Sequence, residues 1–246
     1  MYNVTVHSTC RMYNGFVLYD AGAVMTTNTK TPLHRDVVVD RALVLAEAEG
    51  LHAVTIRRLA QAFDVTPMAL YWHFRKKDDL LSALGQRLIE QIEIPEPTPS
   101  PWSQQLHALL MAVLAGLRGH PATAALVAPE IMSCERGLDL TERALDLLAQ
   151  GGFAPETAAN LAHRALQSII ILVTDAPGAE IAVSPEELDA HQRAKRAALA
   201  SLSPARYPRI VEAALWFTSC DDEDAYFAFG IDLLVAGVVA LSTHGV

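Results

Sequence analysis

The sequence predicts an all-α protein. Apolar residues recur at helical spacing along most of the 246 residues, and Thr, Asp, Gly and Pro punctuate the runs at cap positions. No stretch alternates apolar and polar residues between turn signals, as a strand would. At 51% hydrophobic residues the chain can build a sizeable core.

Residues 1–24, MYNVTVHSTCRMYNGFVLYDAGAV, show neither helical period nor good caps, and they lack the basic-then-apolar order of a signal peptide. Met25 opens a polar lead, MTTNTKTPLHRD, and reads as the biological start, so 1–24 is expected to be dispensable and 1–34 to be a disordered extension. Arg35 to Glu49 is the first helix, with Val38, Ala42, Leu45 and Ala46 at i, i+4, i+7, i+8 and Gly50 as its stop. Thr55 opens the second, TIRRLAQAF, because its hydroxyl can accept an orphan backbone N–H. Asp64 stands where the chain must reverse, and Asp tolerates left-handed geometry better than most residues. Thr66 caps the third helix, PMALYWHF, and Pro67 occupies its first turn, where a missing N–H costs nothing. Lys77-Asp78-Asp79 leads into a fourth helix, Asp79 to Gln91, with Leu80, Leu84 and Leu88 as its stripe.

Four prolines in the nine residues IPEPTPSPW, Ile94 to Trp102, mark a connector. The expected helices beyond it are Trp102–Arg118, stopped by GHP, then Glu135–Gln150, ended by Gly151-Gly152, and Pro155–Thr174, apolar on most sides. DAPGAEIAVS is a loop, followed by a charged helix Pro185–Ser201 and another, Pro204–Phe217. Asp221 or Asp222 caps the last helix, which runs to about Ser242. The domains are therefore 1–34, 35–93 and 94–246.

The formal charge of −9 argues, taken whole, against a nucleic-acid binder. Its distribution reverses that argument. Residues 30–93 hold nine Lys/Arg and nine Asp/Glu, whereas 94–246 hold nine and eighteen. Cys10, Cys134 and Cys220 are widely spaced with no CxxC pair, which suits free thiols in a reducing cytoplasm. No window reaches the ~18 uncharged apolar residues of a membrane span. No GxSxG, phosphate-cradling Gly loop, HExxH or Cys/His metal spacing is present, so neither an enzyme nor a bound metal or cofactor is expected.

Helices two and three with the turn DVT between Phe63 and Pro67 form a helix-turn-helix, whose second helix presents its N-terminal residues to base edges in the major groove. Leu70 and Phe74, four apart, face the core. Thr66, Pro67, Met68, Tyr71 and His73 are then exposed. Arg57 at the front of helix two can reach a guanine or a phosphate, Lys77 suits a phosphate, and the Tyr71 hydroxyl can donate to one. A YWHF cluster is also common in plain core packing, and a cation run such as Arg75-Lys76-Lys77 is often a solvated face. The capped turn, the surface-type residues ahead of it and the cations behind it together favour DNA. Residues 1–24 have a rival reading as a DNA-reaching arm, but Arg11 is their only Arg or Lys.

Residues 35 to 91 resemble the DNA-binding domain of the tetracycline-repressor (TetR) family, through GLHAVTIRRLAQAFDVTPMALYWHFRKKDDLLSAL and above all T.RRLA and LYWHF..K..LL. LYWH is the form of the tetracycline-repressor branch. The resemblance implies DNA contacts at Thr55, Arg57, Pro67, Met68, Ala69, Tyr71, His73 and Lys77. It departs at Asp64, where the family usually has Gly, and at Thr66 to Ala69, where base-reading identities vary, so the operator sequence stays open. The C-terminal part resembles the same branch more weakly, through LDLLAQGGF and YFAFGIDLLVAGV. That implies a homodimer on a palindromic operator, joined through helices at roughly 155–174 and 222–242. Small residues there (Ala225, Ala228, Gly230, Ala236, Gly237) permit close approach. Central core helices within one chain are the alternative.

Drug-binding members of the branch hold a magnesium–tetracycline complex through a histidine near the equivalent of LVAPE. Here that stretch offers Ala128, Pro129 and Glu130, so neither the metal nor tetracycline is carried over. His107, Glu130, His163, Gln167, Thr174 and Asp175, polar residues in apolar context, are the candidate lining of a pocket for a small inducer. The expectation is thus a ligand-responsive repressor. A regulator that answers to a protein partner, or acts constitutively, is the other reading.

Overall fold

The structure is a computed structural model and describes residues 12–13, 16–17, 34–176, 185–218 and 222–243. Two compact units are distinguished, 1–33 and 34–246. In the first, β1 (Met12–Tyr13) pairs antiparallel with β2 (Phe16–Val17), a two-residue ladder that no alternation in the sequence announces. Apart from the exposed His34, the remainder of the expected extension lies outside the described residues.

The second unit has helices and no strand among its described residues. α1 (Arg35–Glu49) buries Val38, Val39, Ala42, Leu43 and Ala46, and Gly50 ends it at φ 85° with its N–H on the Ala46 carbonyl. Leu45, expected on the inner face, is only half-buried. α2 (Ile56–Ala62) is capped by the Thr55 hydroxyl, which accepts from the Arg58 N–H at 3.2 Å. Asp64 takes the left-handed turn at φ 51°. α3 (Pro67–Tyr71) has Pro67 in its first turn, but Thr66 holds the cap position through its carbonyl alone, its hydroxyl making no capping bond. α3 ends three residues earlier than read. α4 (Lys77–Glu90) starts two residues earlier than read, because Asp79 reaches back to accept from the N–H groups of Arg75 and Lys76. Its Leu80, Leu84 and Leu88 are fully buried.

No helix forms between Gln91 and Pro101, where the four prolines lie. α5 (Trp102–Leu117) packs on α7 (Glu135–Gln150), on α8 (Pro155–Thr174) and on α11 (Glu223–Thr243). Between α5 and α7 stand two elements unread in the sequence, a 3-10 turn at Ala124–Leu126 and the four-residue α6 (Val127–Glu130). The loop expected after α8 falls mostly outside the described residues, as do Cys10, Cys220 and Asp221. α9 (Pro185–Ala200) ends within one residue of expectation. α10 (Pro208–Ala213) is much shorter than read. Tyr207, preceding Pro208, sits at ψ 53° outside the helical region, because proline disfavours helical geometry in the residue before it. Asp222 caps α11 by accepting from the Ala225 N–H at 2.9 Å.

α11 is long and apolar enough to cross a membrane, and 17% of its apolar window is buried. Asp232 interrupts it and pairs with His107 of α5 at 3.0 Å, a charge that a bilayer would penalise.

Candidate nucleic-acid interface and internal cavity

α2 and α3 meet across the Asp64 turn, and two side chains fix how α3 is seated. Leu70 and Phe74 are fully buried, and the Arg35 guanidinium lies 5.4 Å from the Phe74 ring centroid. With that face committed inward, Thr66, Pro67, Met68, Tyr71 and His73 are exposed and Ala69 is half-buried. Thr55 and Arg57 are exposed at the start of α2, and Lys77 at the start of α4. Arg58 is committed to Glu49, and Lys76 lies 3.4 Å from Asp78, whereas Arg57 makes no ion pair among the described residues. The residues singled out in the sequence, on α2, on α3 and at the start of α4, are thus exposed apart from the half-buried Ala69. Trp72, which was not singled out, is 85% exposed between Tyr71 and His73. The signal was present. Once Leu70 and Phe74 point inward, helical spacing turns Trp72 outward.

α4 joins this unit to the rest of the chain. Arg87 makes a two-pronged bond to Asp40 of α1, Nε to Oδ1 at 2.8 Å and Nη2 to Oδ2 at 3.3 Å, which raises the Arg87 pKa above its ordinary value. On the other side, Gln86 Nε2 donates to Glu130 of α6 at 2.9 Å. Gly85 runs directly against the Leu126 carbonyl, leaving no room for a side chain.

Beyond α6, Ile131 and Met132 form part of the wall of a half-open cavity of about 300 Å³ formed with α5, α7 and α8. Leu110, Val113, Leu140, Leu166 and Ile169 make it apolar. Its polar lining is Thr141, whose hydroxyl donates to the Gly137 carbonyl at 2.8 Å, and His163, exposed at the mouth. Of the six polar residues picked from the sequence, His163 is the one on this wall. His107 pairs with Asp232, Glu130 with Gln86, and Gln167 accepts from Arg164 at 3.1 Å. Thr174 bonds the Ile171 carbonyl, and Asp175 caps α8 beside it. One imidazole and one hydroxyl do not suit magnesium, a hard cation that asks for near-octahedral oxygen ligands.

Comparison with known proteins agrees with this architecture. The family described as "Bacterial regulatory proteins, tetR family" matches residues 38–84, and "Tetracyclin repressor-like, C-terminal domain" matches 94–241. An HTH-type transcriptional regulator of Saccharopolyspora erythraea is 28% identical over 87% of this chain and 88% of its own. The class C tetracycline repressor protein of Escherichia coli is 29% identical over 84% and 90%. The crystal structure of the Streptomyces coelicolor TetR family protein ActR in complex with actinorhodin superposes with a TM-score of 0.71 at 27% identity, covering 86% of this chain and 99% of that one. The two matches together span both the helix-turn-helix unit and the helical body that carries the cavity, and the chain belongs to the TetR family of DNA-binding transcriptional regulators.

Proposed function

We propose that this regulator is a homodimeric repressor that binds a palindromic operator through paired α2–α3 units and is released by a small, flat or polycyclic, mostly apolar inducer bound without metal. The carrying observation is the apolar cavity, one wall of which continues through α6 into contact with α4. A space of about 300 Å³ with one or two polar groups is of ligand-site size and character. The actinorhodin complex of ActR supports a polycyclic ligand. For the dimer, the support is apolar surface left uncovered on α8 and α11, at Ile171, Phe229, Leu233 and Leu241. Gly230 is already taken up by Leu172 of the same chain, while nothing stands over Gly237. A second copy covers this surface and places two α3 helices about 34–36 Å apart, one DNA turn. An inducer acts by binding the form with a different separation more tightly, and operator then weakens inducer by the same factor.

Thr55, Arg57, Thr66, Pro67, Met68, Ala69, Tyr71, Trp72, His73 and Lys77 are the proposed DNA surface. Replacing Lys77 with Ala should weaken all sequences alike and reduce the salt slope by about one unit. Replacing Arg57 with Ala should relax discrimination at one base pair by about 1–3 kcal/mol if it reads a guanine. Competition binding at several salt concentrations separates the two, and an unchanged slope would remove Lys77 from the surface.

The inducer reading is tested by DNA-shift assays on the upstream region of its own gene, with polycyclic aromatic compounds in EDTA. Release should persist in EDTA. Ala144→Phe, which fills the cavity from α7, should leave operator affinity intact while weakening release about tenfold or more, within the usual range of allosteric couplings. Release unaffected by Ala144→Phe would move the ligand elsewhere. Failure of every compound would favour a protein partner or constitutive action.

A further inference from the structure

The operator-reading helices have a second attachment to the helical body, on α1 rather than α4. Glu47, in the last turn of α1, turns its carboxylate onto the segment that follows α5. Oε2 accepts the Ala122 N–H at 3.0 Å, and Oε1 accepts the Thr123 hydroxyl. Thr123 is fully buried and the Glu47 side chain is 19% exposed. Beside them the buried Nδ1 of His120 lies 3.8 Å from Oε1 and has no hydrogen-bond partner. Withdrawing a carboxylate from water is costly unless hydrogen bonds replace its hydration. Apolar side chains would fill the same space without that cost, but they would not fix the direction of a backbone N–H. The gripped segment then runs through Ala124–Leu126 and α6 to Ile131 and Met132 at the cavity wall.

We infer that Glu47 is a positioning residue of the switch, a carboxylate clamp through which displacement of the 120–132 segment is passed to α1 as well as to α4. The inference rests on the ligand-responsive reading for its biological purpose, but the mechanical link is testable without any inducer. Hydrogen exchange is measured on the full chain, free and bound to a DNA duplex enriched on it from a random pool. In the unmodified chain, duplex should slow exchange of the amides at 120–126 by about fivefold or more, the lower end of ordinary coupling. Glu47→Gln should keep that response, because its amide oxygen can still take the Ala122 N–H and its NH2 can serve Thr123 or the orphaned His120 nitrogen. Glu47→Ala should still bind duplex but lose the response. A purely structural role would lower stability and leave the duplex-dependent difference in place. If Glu47→Ala does not fold, Thr123→Val, which removes one of the two bonds, should show a diminished response. The same response in the Ala and Val variants as in the unmodified chain, or none in the unmodified chain, would overturn the clamp. Compounds that release operator while the exchange result fails would leave the ligand reading intact, and the converse would leave the clamp intact.

Discussion

Phe74→Ala should destabilise the operator-reading unit by about 3–5 kcal/mol, the cost of deleting a buried aromatic ring and leaving a cavity. The residue is fully buried at the end of the α3 segment, its N–H bonds the Leu70 carbonyl at 2.9 Å, and Arg35 of α1 lies against its ring. Together with Leu70 it is what orients α3, so the loss should appear twice. Urea denaturation should report reduced stability, and operator affinity should fall further than any single surface substitution lowers it. A variant with undiminished operator binding would show that α3 is held by something other than this ring.

Gly85→Ala is the second large effect, and its sign runs against helix propensity. In a free helix the change would stabilise by about 1 kcal/mol. Here the new methyl would enter the shell of the Leu126 carbonyl oxygen, a backbone atom that cannot swing aside as a side chain can. Overpacking of this kind costs about 1–3 kcal/mol. The relief available is for α4 to lift away from residues 124–130, which also strains the Gln86–Glu130 bond. Reduced stability with altered operator affinity is therefore expected. Gly119→Ala is the control, because nothing lies within 4 Å of the added methyl there. If the two substitutions prove equally harmless, the contact between α4 and residue 126 is looser than described.

Much of the fold was legible because punctuation and period agreed. α1, α7 and α8 have the bounds that caps and spacing indicated, and the inward pair on α3 follows from Leu70 and Phe74 standing four apart. The misread ends have local causes. Asp79 pulls the start of α4 forward, and Pro208 keeps Tyr207 out of α10. α6 is too short to show a period. The cavity was not legible in the same way. Its wall is mostly Leu, Ile, Val and Ala from three helices, and these residues look identical in sequence whether they touch a neighbour or line a space. The polar residues that drew notice, His107 and Glu130, are tied instead to Asp232 and Gln86, partners 125 and 44 positions away that no local pattern reveals.

The seating of α3 also bears on how such a regulator diversifies. Thr66, Pro67 and Met68 project from the front of α3, while Leu70 and Phe74 behind them carry its anchorage. The cavity wall is drawn from other helices altogether. On the proposed reading, substitutions that retune the DNA address therefore need not disturb the chemical input, and changes of chemical input need not disturb the address. After gene duplication, one daughter can inherit the signal and acquire new targets while the other keeps the targets and learns a new signal. Residues 120–132, which meet α1 and α4 at one end and the cavity wall at the other, are where selection should tolerate the least drift.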